Sequence, residues 1–225
     1  MRTVKLLNFW LLLALGMSTA VFNSCDKKDD PSGSNNTATS DVGVVINGVK
    51  WATRNVDAFG TFAAKPEDAG MFYQWNRKTA WSATEPDLGV AIGVAGGWDE
   101  TLPAGDAWEK SNDPCPTGWR LPTGEEQQKL LDTDKVTNEW TTQNGVTGRL
   151  FTDKSTGNQL FLPAAGDRDD SEGTLRSAGA YGLYWSSTAH ESHKTGAYCL
   201  GIIESGTDWG NGDRRFGFSV RAVAE

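Results

Sequence analysis

Trp119-Arg120-Leu121-Pro122-Thr123-Gly124-Glu125-Glu126 ends in a capping box. The Thr123 hydroxyl can accept from the third helical N–H while the Glu126 carboxylate reaches back to the Thr123 N–H. The spacing predicts a helix to about Asp132, with Leu130 and Leu131 pointing inward. Downstream, residues 148–151 and 159–162 flank Lys154-Ser155-Thr156-Gly157-Asn158, a hairpin signal. Residues 184–188, 197–203 and 215–223 read as further strands. In the last of these Phe216, Phe218, Val220 and Ala222 share one face. Upstream, Asn47-Gly48 separates two short apolar runs, 44–46 and 49–51, and both turn positions of such a hairpin need positive φ. A second helix is predicted over 66–78, with Met71, Phe72 and Trp75 on one face. Residues 79–112 lack a clean period and read as a long packed loop. Short strands with one or two helices describe an α+β or mainly β domain with long loops.

Composition narrows the partners. The 225 residues carry 21 Lys and Arg against 29 Asp and Glu, a formal charge of −8. Phosphate binding needs a basic face, so a nucleic-acid partner is excluded as an expectation. Ten Trp give an unusual supply of flat, bulky side chains, while two His leave little for a histidine-built metal site.

The N-terminus reads as an address. Arg2 and Lys5 precede an apolar run over 6–15, and small residues lead to Cys25. This is the layout of a secretory signal, too short to span a bilayer with conviction. Residues 1–24 are read as a lipoprotein signal peptide, with Cys25 as the lipidated first residue of the mature chain. Asp26-Lys27-Lys28-Asp29-Asp30 resembles the Lys-and-acid signal that sends Bacteroidetes lipoproteins to the outer face of the outer membrane. Residues 25–41 then form a spacer that, fully extended, reaches about 55–60 Å. Losing Arg2 and Lys5 takes the charge from −8 to −10. Membrane contact is expected through the N-terminal lipid alone. The folded domain is read as 42–225.

Several phrases across that domain carry a resemblance. They are Trp51-Ala52-Thr53-Arg54-Asn55, Gly70-Met71-Phe72-Tyr73-Gln74-Trp75 and Asp113-Pro114-Cys115-Pro116-Thr117-Gly118-Trp119-Arg120-Leu121-Pro122-Thr123. Later come Leu160-Phe161-Leu162-Pro163-Ala164-Ala165-Gly166-Asp167-Arg168, Tyr184-Trp185-Ser186-Ser187-Thr188 and Val220-Arg221-Ala222-Val223. Together they resemble the Fibrobacter succinogenes major paralogous domain, a family of secreted and lipid-anchored proteins. Where that family carries Trp after the capping Glu, this chain has Gln127. The Trp-Arg-Leu-Pro-Thr and Val-Arg phrases are also similar to the wider C-type-lectin-like fold used by formylglycine-generating enzymes. The resemblance implies an α+β domain: a small twisted antiparallel sheet, one or two flanking helices and long loops.

Candidate chemistry gathers in four places. Asp167, Asp169, Asp170 and Glu172 offer hard oxygen ligands suited to calcium, and C-type lectins use such a loop for calcium and sugar. Glu85-Pro86-Asp87 mimics a lectin sugar motif but falls on the wrong side of the helix. Cys115 and Cys199, in an exported chain, form one disulfide or stay buried as apolar groups. His190, Glu191 and His193 make an H-E-x-H cluster without a third histidine, which a polar loop explains equally well. Trp98, Trp108, Trp140 and Trp209 lie among Gly, Asp and Asn in predicted loops, where binding residues concentrate. Trp209, with Asp208, Asn211 and Asp213, is the leading candidate for an exposed platform.

No Ser-His-Asp order, phosphate-cradling loop or paired-carboxylate motif stands out, so the expectation is a non-catalytic module without an obligate cofactor. It would recognise an extracellular glycan or protein, for adhesion or nutrient capture. The alternative is a structural part of a surface complex or fimbria-like assembly. An enzyme of the formylglycine-generating group ranks third.

Overall fold

The Asn47-Gly48 hairpin forms as the sequence requires, with φ of 46° and 77° at the two turn residues. It joins β1 (Val44–Ile46) to β2 (Val49–Trp51) and buries Ile46, Val49 and Trp51. The computed structural model describes residues 40–84 and 97–225. In chain order there follow β3 (Met71–Gln74), β4 (Ala80–Ser82), β5 (Trp119–Arg120), the helix α1 (Gly124–Gln128), β6 (Val136–Gln143) and β7 (Val146–Asp153). Then come β8 (Gln159–Pro163), β9 (Asp167–Arg168), β10 (Leu175–Arg176), β11 (Tyr181–Ala189) and β12 (Gly196–Ile203). The chain closes with β13 (Gly206–Asp213), β14 (Gly217–Ser219) and β15 (Val223–Ala224).

These strands make three sheets. The first, in order β1-β2-β15-β5, ties the start of the domain to its end. Asp41 reinforces the join: its carboxylate accepts from Gly43 N at 2.8 Å, Thr53 N at 3.0 Å and Arg54 Nε at 3.2 Å. The residue read as the last of the spacer is therefore bonded into the domain. The second and largest sheet runs β10-β9-β14-β11-β12-β13, with β3 added to β14 and β4 to β3. The third is the meander β6-β7-β8.

Strand β11 sits in the middle of the large sheet and is buried on both sides. Trp185 faces one cluster with Trp75, Phe218 and Val220, while Tyr184 faces another with Ile46, Trp51, Leu200 and Ile202. Two buried indoles lock the strands to each other. Trp185 Nε1 donates to Tyr73 O at 2.7 Å, and Trp75 Nε1 to Ser186 O at 3.0 Å. Trp185 also stacks on Phe218 with ring centroids 4.1 Å apart.

The architecture corrects the expected class. It is β-rich, not α+β: among the described residues there are fifteen strands and one α-helix, of five residues. The flanking helices that the C-type-lectin-like resemblance implied are not what carries this domain. The capping box does form, with Glu126 N donating to Thr123 Oγ1 at 3.2 Å and Thr123 N to Glu126 Oε2 at 2.8 Å. The helix nonetheless stops early, because residues 129–131 tighten to a 3₁₀ turn and Asp132 is extended. Gln127, where the family carries Trp, donates from Nε2 to Tyr184 O and Trp185 O, both at 3.0 Å.

The helix predicted over 66–78 is instead a turn followed by β3. Gly70 takes φ 68°, and a Cβ there would lie 2.3 Å from Val56 O, so the helix is broken at that point. Phe72 and Tyr73, adjacent in sequence, then bury into different clusters, as strand geometry demands. Strands β6 and β13 were both expected to be loops. The Gly and Asp content of β13 disfavours a strand locally, and pairing with β12 along its whole length overrides that preference.

Candidate functional site

The site is built on the β12–β13 ribbon. The two strands pair without interruption from Ile203 opposite Gly206 to Gly196 opposite Asp213. Side chains alternate, so Tyr198 and Leu200 share a face with Thr207, Trp209 and Asn211. Trp209 lies opposite Leu200 and diagonal to Tyr198, within reach for aromatic contact. The two rings stack with centroids 5.3 Å apart and planes at 12°. His190 continues the row at 4.8 Å from Tyr198, and His193 lies 4.4 Å from His190.

An open groove of about 570 Å³ runs beside this row. It is lined by Thr123, Gly124, Glu125, Gln128, Thr188, Glu191, Tyr198 and Trp209. A Cβ at position 124 would sit 3.1 Å from Trp209 Cη2, so glycine there lets the indole edge approach α1 closely. Gly124 N donates to Thr188 Oγ1 at 3.0 Å, holding the helix start against β11. Glu125, Gln128 and Glu191 are exposed, and among the described residues neither carboxylate is in an ion pair. The groove thus combines an aromatic platform with two uncommitted acids, an amide and a hydroxyl. That set can stack on a flat apolar face and hydrogen-bond a polar rim.

The structure sorts the four residues first assigned to the platform. Trp209 and Asn211 share a face, and Asp208 points to the opposite one. Asp213 is held by Arg215, whose Nε lies 2.9 Å from Asp213 Oδ1. Burial alone would raise the Asp213 carboxyl, but the bonds from Arg215 win and hold it below the usual range. Trp98 and Trp108 are buried, and Trp140 lies in β6 against the second core cluster. Tyr198, Glu125, Gln128 and Thr188 are not among the residues that the sequence marks for binding, and Glu191 enters there only through the H-E-x-H cluster. The readable signal for Tyr198 was its place two residues from Leu200 in a hairpin that brings it beside Trp209.

Three of the four carboxylates read as a calcium loop are engaged by the protein's own donors. Asp167 is buried and forms an ion pair with Arg176. Burial raises its carboxyl, with Arg176 opposing. Asp169 Oδ1 accepts from the backbone N–H groups of Ser171, Glu172 and Gly173 at 3.1, 2.9 and 3.0 Å, tying off a tight turn. Burial works against ionisation there, and those donors overcome it, leaving the carboxyl below its usual range. Asp170 pairs with Arg215 at 3.3 Å, and Glu172 is exposed. Among the described residues no group of three or more His, Cys, Asp or Glu could hold a metal ion. The histidine cluster forms a turn of its own: His190 Nδ1 accepts from Ser192 N at 3.2 Å and His193 N at 3.1 Å.

The two cysteines are free thiols, not a disulfide. Burial pushes Cys199 up to about 12 and raises Cys115, where Asp113 adds to the effect. Both behave as small apolar groups packed on one core cluster. Cys25, the signal, nearly all of the spacer and Glu85-Pro86-Asp87 lie outside the described residues. No helix among the described residues is long and apolar enough to cross a membrane.

A second concavity, of about 500 Å³, is lined by Ala69, Ala83, Val146, Pro163, Ala165 and Leu175 among others. Of its two acids, Glu67 is engaged by Asn144 Nδ2 at 2.9 Å and Asp68 by Lys65 N at 2.9 Å, and the concavity has no aromatic wall. Against known proteins, the profile of the Fibrobacter succinogenes major domain matches residues 35–224. No curated protein and no solved structure matches the chain.

Proposed function

We propose that this chain, which belongs to the Fibrobacter succinogenes major domain family, is an exported protein whose domain binds an extracellular glycan without catalysis. The observation that carries the reading is the stacked Trp209–Tyr198 pair beside the unpaired Glu125 and Glu191 in an open groove. The C–H face of a sugar ring stacks on an aromatic platform, and its hydroxyls bond to carboxylates, amides and hydroxyls at the rim. Calcium has no part in this reading, because Asp167, Asp169 and Asp170 are occupied by the protein's own donors and Glu172 alone makes no cation site. Desolvation raises both thiols, which works against a thiolate nucleophile at either position.

Export and anchoring rest on the sequence: the charged start, the apolar run over 6–15 and Cys25 before an acidic and basic tail. In this reading acyl chains on Cys25 hold the protein to the outer membrane and the spacer presents the domain outside the cell. Protease shaving of intact cells should remove the domain, and full protection would overturn surface display.

Binding of the purified protein to a broad glycan array tests the main claim. We expect signal that survives EDTA and is lost in Trp209→Ala, with the variant's thermal melt showing that it remains folded. A blank array, or binding that Trp209→Ala leaves intact, would overturn the groove as a glycan site.

A further inference from the structure

Strand β13 is also a free edge of the large sheet among the described residues. The Glu204-Ser205 turn closes on Ile203 opposite Gly206, a two-residue hairpin whose flanking pair exchanges both backbone hydrogen bonds. Bonding then alternates along an antiparallel ladder. Counted from that pair, Gly206, Asp208, Gly210 and Gly212 spend their backbone groups on β12, while Thr207, Trp209 and Asn211 turn theirs outward. The same count on β6, whose hairpin closes on Gln143 opposite Val146, turns the Val136 N–H out of the sheet. That N–H does bond elsewhere, to Asp132 O at 2.8 Å. Among the described residues no strand but β12 pairs with β13, and no hydrogen bond reaches the amide or carbonyl of Thr207, Trp209 or Asn211.

Sheets blunt such edges with short strands, Lys, Pro or bulges. Edge strands β1 and β4 have three residues, and β5 and β10 have two. Strand β13 has eight, with no Pro, no Lys and no break in register. Strand β6 is equally long but spends its first outward N–H on Asp132 and the Asn138 side chain on Arg149.

The chemistry beside the edge says what would pair with it. On the face away from the Trp209 groove, a hollow of about 220 Å³ passes over Cys199, Gly201 and Gly210 between Tyr181 and Phe216. Gly212 is glycine because a Cβ would come within 2.6 Å of the Phe218 ring. Gly210 has no such reason: a Cβ there would meet only Asp208 Oδ2, at an ordinary 3.5 Å. The space above it is open to a side chain from a strand added outside β13. Asp208, on the same face, and Glu204, at the turn, are exposed and free of ion pairs among the described residues, so the edge is acidic.

We infer that β13 accepts an extended segment of a partner protein as an added strand, with an aromatic residue over Gly210 and a lysine or arginine opposite Asp208. Backbone pairing with Thr207, Trp209 and Asn211 supplies affinity, and the ring and cation, two residues apart, supply register and selectivity. The inference stands apart from the glycan reading, since the hollow lies on the other face of the sheet.

The test is titration of the purified protein with a short blocked peptide of alternating valine and threonine, carrying one tyrosine and, two residues on, one lysine. A peptide of the same composition with the alternation scrambled is the control. Asn211→Pro removes an outward N–H without touching the β12 ladder, which edge strands tolerate. Gly210→Val fills the hollow at a position where a Cβ has room. Circular dichroism and thermal melts establish that both variants fold. We expect the patterned peptide to bind and the scrambled one not to, with each variant weakening binding at least tenfold. Gly210→Val should leave any glycan-array signal unchanged, which separates failure here from failure of the groove. No binding, or equal binding to Asn211→Pro, would overturn the inference. So would self-association that Asn211→Pro abolishes without any peptide binding, because the occupant would then be a second copy.

Discussion

The loop over 167–173 and the groove beside Trp209 are both acidic, and they put their carboxylates to opposite use. In the loop, Asp167 faces Arg176, Asp169 gathers three backbone N–H groups and Asp170 meets Arg215. At its centre Arg168, fully buried, donates to Ser82 O at 2.8 Å and Gly173 O at 2.6 Å. In the groove, Glu125 and Glu191 stand exposed beside stacked aromatic rings. Acid density along a sequence therefore says little about binding. What matters is whether the fold has already supplied donors, because a carboxylate satisfied internally has little left to offer a ligand.

The contrast can be broken at its structural end first. Arg168→Ala should destabilise the protein by about 3 kcal/mol, since it opens a cavity and strips two carbonyls of their donor. Urea denaturation measures it. A loss below about 1 kcal/mol would mean that the loop is not built around this side chain. At the other end, Glu125→Gln and Glu191→Gln should each leave stability within about 0.5 kcal/mol, as exposed substitutions do. Each should weaken glycan binding by about threefold, near 0.6 kcal/mol, the size of one lost hydrogen bond. If either glutamate variant lowered stability as much as Arg168→Ala, the distinction between committed and uncommitted acids would fail.

Much of the local structure was legible. The Asn47-Gly48 hairpin and the Thr123–Glu126 capping box both form, because each is settled by contacts within four residues. The face of Phe216, Phe218, Val220 and Ala222 also packs on one cluster. The strand carrying it is interrupted, however, with 220–222 outside any ladder. Family membership was legible too, since the matching phrases are strings of adjacent residues. The candidate site was half legible. Trp209 was chosen as a platform residue, but with Asp208, which strand alternation sends to the other face, and Asp213, which Arg215 occupies.

By itself the sequence determined the hairpin turn, the helix start, the family and the presence of an aromatic-rich, acidic domain. The tertiary structure alone decided the β-rich class, because β13 is a strand only through its pairing with β12 and α1 ends within two turns. It also decided which acids are free. Glu125 lies in α1 and Glu191 follows β11, with strands β6 to β11 between them in sequence, and only the closure of β11 against α1 puts them around the same rings. Local sterics act over a few residues and can be read in order; the partners of a side chain are set by long-range pairing, which no single segment encodes.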